Sequence, residues 1–141
     1  MRNGFTLVEL MIVTTLMSIL LILGVGGFKE TVDSFNRSYS VRDLLTSLQL
    51  ARSESIRTLK RIELTTNSNS LSWDVVNQAP TPDGVVRLPG NTTLSASENN
   101  VFFTPQGFLG GLTNNELVLT VTAGQSSSTV RVRKNGSCYV Q

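Results

Sequence analysis

The 141-residue chain contains no histidine and a single cysteine, Cys138. Without histidine it lacks the commonest general base and metal ligand. One cysteine cannot close an internal disulfide, so Cys138 is either a free thiol or half of an intermolecular bridge. A cysteine-based zinc site needs more ligands than this chain has. A strong charge imbalance is missing too. The formal net charge is +2, which by itself gives no reason to expect a nucleic acid. There is no Ser/His/Asp set, no metal-ligand spacing and no phosphate-cradling glycine loop. Paired carboxylates would have to come from Asp74, Asp83, Glu98 and Glu116, whose spacing suggests loops and surface. The expectation is a chain that is not an enzyme and takes no metal or cofactor.

What is present is unevenly spread. Residues from Phe5 to Phe28 are nearly all apolar, and the remainder is polar and rich in Ser, Thr and Asn. The remainder is large enough for one modest core. Positive charge gathers in two stretches, Arg52, Arg57, Lys60 and Arg61, then Arg131, Arg133 and Lys134.

The apolar run of 24 residues spans roughly 36 Å as a helix, enough for a hydrocarbon core about 30 Å thick. Its one charged residue before Lys29 is Glu9. A secretory signal peptide has a shorter apolar core and no carboxylate near its start. A plain anchor gains nothing from a carboxylate that costs roughly 2.5–3.5 kcal/mol near the bilayer centre.

The order Met1-Arg2-Asn3-Gly4, then Phe5-Thr6-Leu7-Val8-Glu9-Leu10, gives Glu9 a purpose. It resembles the leader of type IV prepilins and type II secretion pseudopilins. The resemblance implies cleavage between Gly4 and Phe5 by a dedicated prepilin peptidase on the cytoplasmic face. It further implies methylation of Phe5, and a glutamate, here Glu9, that sets axial register. Glu9 lies at i+4 from the new amine on Phe5, and the helix dipole favours a carboxylate in the first turn. The register partner so implied is the Phe5 amine of a neighbouring subunit. The alternative is that Glu9 stays at the headgroup level with its own amine. Gly24, Gly26 and Gly27 close the run, each costing roughly 1 kcal/mol of helix relative to Ala. They either loosen the helix on leaving the bilayer or allow close packing.

From Phe35 to Ile62 the pattern is helical. Val41, Leu44, Leu45, Leu48, Ile56, Leu59 and Ile62 recur on one face, and no proline stands before Pro80. One helix is therefore expected from Phe5 to about Arg61. Its stripe needs cover from the C-terminal strands. Leu50, Glu54, Arg57 and Arg61 point away from that stripe. Arg52 falls within it, and needs either to snorkel or to meet a carboxylate. The words Leu48-Gln49-Leu50-Ala51-Arg52-Ser53-Glu54-Ser55-Ile56 resemble the signature of the GspH/FimT group of minor pilins and pseudopilins. A strand at Arg61–Leu64 and a tryptophan strand at Leu71–Val76 fit the same group.

Further strands are expected at Val85–Leu88, Val101–Phe103, Glu116–Thr122, Thr129–Lys134 and Cys138–Val140. Pro80-Thr81-Pro82-Asp83-Gly84 and Asn135-Gly136 mark turns between them. The fold class is α+β, a long N-terminal helix packed against an antiparallel β-sheet. The expected divisions are a leader at 1–4, a membrane and filament-core half at 5–28, an amphipathic half at 29–62 and a β domain at 63–141. On the last long strand, alternation puts Arg131 and Arg133 on one outward face, beside Lys134. The stretch resembles the Gly-Arg-x-Arg motif through which some FimT-type minor pilins of naturally competent bacteria are thought to bind DNA. This chain has Val130-Arg131-Val132-Arg133, without the glycine. The three residues are candidate DNA contacts, or charges that protect a sheet edge from aggregation.

The family resemblance implies a structural subunit in the bacterial inner membrane, crossing once, with its C-terminal domain in the periplasm. Its implied partners are other pilin subunits, the prepilin peptidase, the inner-membrane assembly platform and, on the competence reading, DNA. The expected function is a minor pilin at or near a pilus tip, serving biogenesis and motility. The alternatives are a DNA-binding minor pilin for transformation and a type II secretion pseudopilin.

Overall fold

The computed structural model describes residues 6–76 and 82–141, with backbone alone for 23–26. It divides into two units, one ending at Val32 and one comprising Asp33–Gln141. Helix α1 runs over Leu7–Thr58. Thr6 precedes it and its Oγ1 accepts the Glu9 N–H at 3.3 Å, as an N-cap residue should. The helix passes Gly24, Gly26 and Gly27 without a break. Along Leu7–Ile22 the side chains are exposed, which a helix apolar on every side tolerates only in a lipid or protein surrounding. This is the one helix among the described residues long and apolar enough to cross a membrane.

In the second unit the rest of α1 lies against nine short strands. Strands β1 (Ile62–Asn67), β2 (Ser70–Val75), β3 (Gly84–Arg87), β5 (Val101–Phe103) and β6 (Leu109–Gly110) make one sheet, ordered β3-β2-β1-β5-β6. Strands β4 (Thr92–Ala96), β7 (Glu116–Ala123), β8 (Ser126–Arg133) and β9 (Cys138–Val140) make the other, ordered β4-β7-β8-β9. Every pairing is antiparallel. The single sheet expected from sequence is thus two sheets. They meet where the Leu109 N–H donates to Lys134 O at 2.8 Å and the Leu94 N–H to Ser68 O at 2.7 Å. The turn expected at Pro80–Gly84 lies partly outside the described residues.

One core joins helix and sheets. Val41, Leu44, Leu48 and Ala51 of α1 meet Ile62, Leu71, Val75 and Phe103 from the first sheet. Leu117, Leu119, Val121, Val130 and Val132 enter from the second, on alternate positions as expected. Ser40, Ser47 and Ser55 are buried on the same helix face. The hydroxyls of Ser40 and Ser55 donate to Asn36 O and Arg52 O, both at 2.7 Å, which removes their desolvation cost. Ser47 Oγ accepts the Trp73 indole N–H at 3.1 Å, tying α1 to β2. These small residues let the strands approach the helix closely. The expected stripe stops early. Ile62 opens β1 instead of closing the helix, and Ile56 and Leu59 are exposed. The helix outruns its cover, and Leu59 ends it in the left-handed region with φ 53°.

Candidate assembly and anion-contact sites

Gly4 and Phe5, the expected cleavage and methylation positions, lie outside the described residues. Glu9 lies in the first turn of α1. Thr6 and Glu9 stand at the spacing of a capping box, Thr-x-x-Glu. That spacing was readable in the sequence and gives Glu9 a place in the helix start beside its expected role in register.

The structure brings Arg131 and Arg133 together, because both point outward from β8. They do not stand alone. Glu116 of β7 is registered opposite Arg133, and Tyr139 of β9 opposite Arg131. The Glu116 carboxylate accepts from Arg131 Nη1 and from Arg133 Nε, each at 3.3 Å. The Tyr139 hydroxyl donates to the same carboxylate at 3.1 Å, and the Arg133 guanidinium lies over the Tyr139 ring at 4.9 Å. The Tyr139 hydroxyl, followed by the two guanidiniums, holds the Glu116 carboxyl below its ordinary range. One carboxylate is thus shared by two arginines, and Lys134 is exposed beside them. The tyrosine and glutamate were not anticipated as part of this cluster. Alternation assigned faces, but only the register shows which residues meet.

Arg52 is half-buried and meets no carboxylate; its guanidinium bonds backbone carbonyls instead, which neither expectation named. Its Nε donates to Gly107 O at 3.0 Å, Nη1 to Gly136 O at 3.2 Å and Nη2 to Asn135 O at 3.1 Å. A planar guanidinium with a fork of donors suits three converging carbonyls. The two turns must come close for this. Gly107 has φ 77° and Gly136 φ 79°, conformations that glycine adopts at least cost. A Cβ on Gly136 would sit 2.5 Å from Gly107 O and 2.7 Å from Arg52 Nε. The helix is thereby fastened to the β5–β6 and β8–β9 turns. Cys138 lies just beyond, half-buried, and burial pushes its thiol up from the ordinary value against the opposing effect of Arg52. Among the described residues no group of three or more Cys, Asp or Glu stands together as a metal site would require.

Residues 1–25 match the prokaryotic N-terminal methylation motif, and residues 40–136 match the family described as Type II transport protein GspH. The fold is similar to that of the type IV minor pilin FimU of Pseudomonas aeruginosa. The TM-score is 0.64 at 15% identity, covering 79% of this chain and 92% of that one. It is also similar to the minor pseudopilin EpsH from the type 2 secretion system of Vibrio cholerae. There the TM-score is 0.57 at 12% identity, covering 75% of this chain and 96% of that one. Comparison with curated protein sequences gives no match. The two solved structures establish a shared fold. With a family match over more than half its length and a methylation motif at the head of its apolar helix, the chain belongs to the GspH family of type IV pilin-like minor pilins and pseudopilins.

Proposed function

We propose that the protein is a minor pilin, a structural subunit inserted once in the bacterial inner membrane with residues 33–141 in the periplasm. A prepilin peptidase cuts between Gly4 and Phe5, the Phe5 amine is methylated, and the subunit is drawn by the inner-membrane platform into a filament, at or near its tip. The observation that carries this reading is the methylation motif over residues 1–25, on a helix long and apolar enough to cross a membrane. In lipid the Glu9 charge needs a cation, and on this reading the Phe5 amine of a neighbouring subunit supplies it. The function is assembly, without catalysis.

A tagged full-length chain, expressed with and without the peptidase, tests this. N-terminal sequencing should find N-methylphenylalanine at position 5, and sheared filaments should contain the chain. An uncut leader, or absence from filaments, would overturn the reading. The type II secretion alternative is favoured instead if deletion stops exoprotein secretion and leaves twitching intact. The DNA reading has one support, the exposed Lys134 beside the Arg131–Arg133 pair, and it asks that pair to leave Glu116. DNA titration of the detergent-solubilised chain at two salt concentrations, with a variant carrying Arg131, Arg133 and Lys134 changed to Ala, decides it.

A further inference from the structure

The sequence holds two Asn-Gly steps, Asn3-Gly4 and Asn135-Gly136. This dipeptide is especially prone to deamidate, because glycine has no Cβ to obstruct its own nitrogen. In that reaction the glycine nitrogen gives up its proton and attacks the asparagine Cγ. A C–N bond forms, and ammonia leaves with the side-chain nitrogen. Water then opens the cyclic imide at one of its two carbonyls, which yields aspartate or isoaspartate. Asn3-Gly4 lies outside the described residues. Asn135-Gly136 stands in the turn between β8 and β9, with Asn135 exposed to the water that the second step consumes.

The turn cannot do without this glycine, whose φ is 79° and whose place a Cβ would spoil by meeting Gly107 O at 2.5 Å. The peptide unit joining Asn135 to Gly136 is pinned from both sides. Its carbonyl, Asn135 O, accepts from Arg52 Nη2 at 3.1 Å. Its N–H, on Gly136, donates to Arg133 O at 2.8 Å. The next carbonyl, Gly136 O, accepts from Arg52 Nη1 at 3.2 Å. The Asn135 side chain is held as well. Its Oδ1 accepts from the Ser137 N–H at 3.0 Å and from the Ser137 hydroxyl at 2.8 Å. Cyclisation therefore asks for three changes at once. The peptide plane must turn, the Gly136 N–H must leave Arg133 O, and the side chain must leave Ser137. The first of these breaks a bond that ties the turn to α1.

We propose that Asn135 is a latent deamidation site and that Arg52 is the guard that keeps it intact. The inference does not depend on the filament reading. The reaction waits on local opening of the turn, an event whose frequency is set by the bonds that close it. The link runs both ways. Isoaspartate adds a methylene to the main chain of the turn, which carries the Asn135 and Gly136 carbonyls away from the planar fork of the guanidinium. Deamidation thus turns a transient opening of the clamp into a permanent one, and loosens α1 from the β8–β9 turn.

The test uses the full chain in detergent at mildly alkaline pH, where the glycine nitrogen loses its proton more readily. Peptide mass spectrometry follows Asn135, with fragmentation that separates isoaspartate from aspartate. The folded parent should deamidate there roughly tenfold more slowly, or slower still, than the same chain unfolded in guanidinium chloride. Exchange of the Gly136 amide hydrogen in the parent should be slowed in the same way, a reading that needs no variant. Arg52→Lys, which keeps the charge and loses the fork, should deamidate roughly fivefold faster than the parent at a temperature where circular dichroism shows it folded. Gly84→Ala, which crowds Trp73 on the other sheet, should stay near the parent rate, and so separates general destabilisation from loss of the clamp. Parent chain enriched in isoaspartate should melt below the intact chain. A parent rate equal to the unfolded rate would overturn the proposal, as would an unprotected Gly136 amide. So would a folded Arg52→Lys chain as slow as the parent, or a Gly84→Ala chain as fast as Arg52→Lys.

Discussion

Arg52 sits where a core-facing helix would ordinarily place a leucine, and it serves as a fastener. Three backbone carbonyls from two turns end on one guanidinium. Lysine has the charge but not the fork, and methionine has the stem without donors. Arg52→Met should therefore lower stability by about 2 kcal/mol, since it orphans carbonyls as well as losing charged hydrogen bonds. Arg52→Lys should recover only part. Thermal melting of the full chain in detergent measures both, and a methionine variant as stable as the parent would show that water satisfies the turns equally well. None of this was legible beforehand. Carbonyls do not appear in a residue pattern, and these lie 55 to 84 positions from Arg52. Glu116 makes a second prediction at this scale. Its folded pKa is depressed, first by the Tyr139 hydroxyl and then by the arginines. Its stabilising effect is therefore complete above the ordinary carboxylate value, about 4.3, and is lost as pH falls through the depressed folded value. Acid titration of the melting temperature should show a shallower fall below that point in Glu116→Gln than in the parent.

At the scale of elements, the sequence carried the helix and most strands but not their arrangement. The apolar run announced α1, expected from Phe5 and described from Leu7; the Thr6 cap was not read beforehand. Glu116–Ala123 alternates at every position, so β7 was plain. Strand β4 was missed because Thr92-Thr93-Leu94-Ser95-Ala96 buries a threonine and one leucine, which gives no apolar alternation to read. Strand β6 is two residues long and exists only through its pairing with β5. Alternation states which face is inward, and not which strand lies alongside. Two sheets were for that reason taken as one. The element-level prediction concerns Trp73 and Gly84, which face each other across β2 and β3. A Cβ on Gly84 would run into the indole ring. Gly84→Ala should push the ring off Ser47, whose hydroxyl accepts its N–H. We expect a loss of about 1–3 kcal/mol, as for other overpacked sites, with a change in tryptophan fluorescence at a temperature where the parent is fully folded.

For the whole molecule, two stretches of cations lie far apart in the sequence and close together in the fold. Composition hid this, because net charge does not say where charges lie. Two basic stretches were visible, and only the Arg52 and Lys134 contacts bring them to one place. The same contacts join the layers of the second unit. Arg52 ties α1 to one turn of each sheet, and Lys134 O accepts the Leu109 N–H where the sheets meet. With one core shared by helix and both sheets, the second unit should unfold in a single cooperative step. Trp73 fluorescence reads the first sheet, and amide exchange along β7 and β8 at rising denaturant reads the second. In the full chain in detergent both should be lost at the same denaturant concentration. Loss of one sheet before the other would show that the shared core and the contacts between the sheets do not couple them.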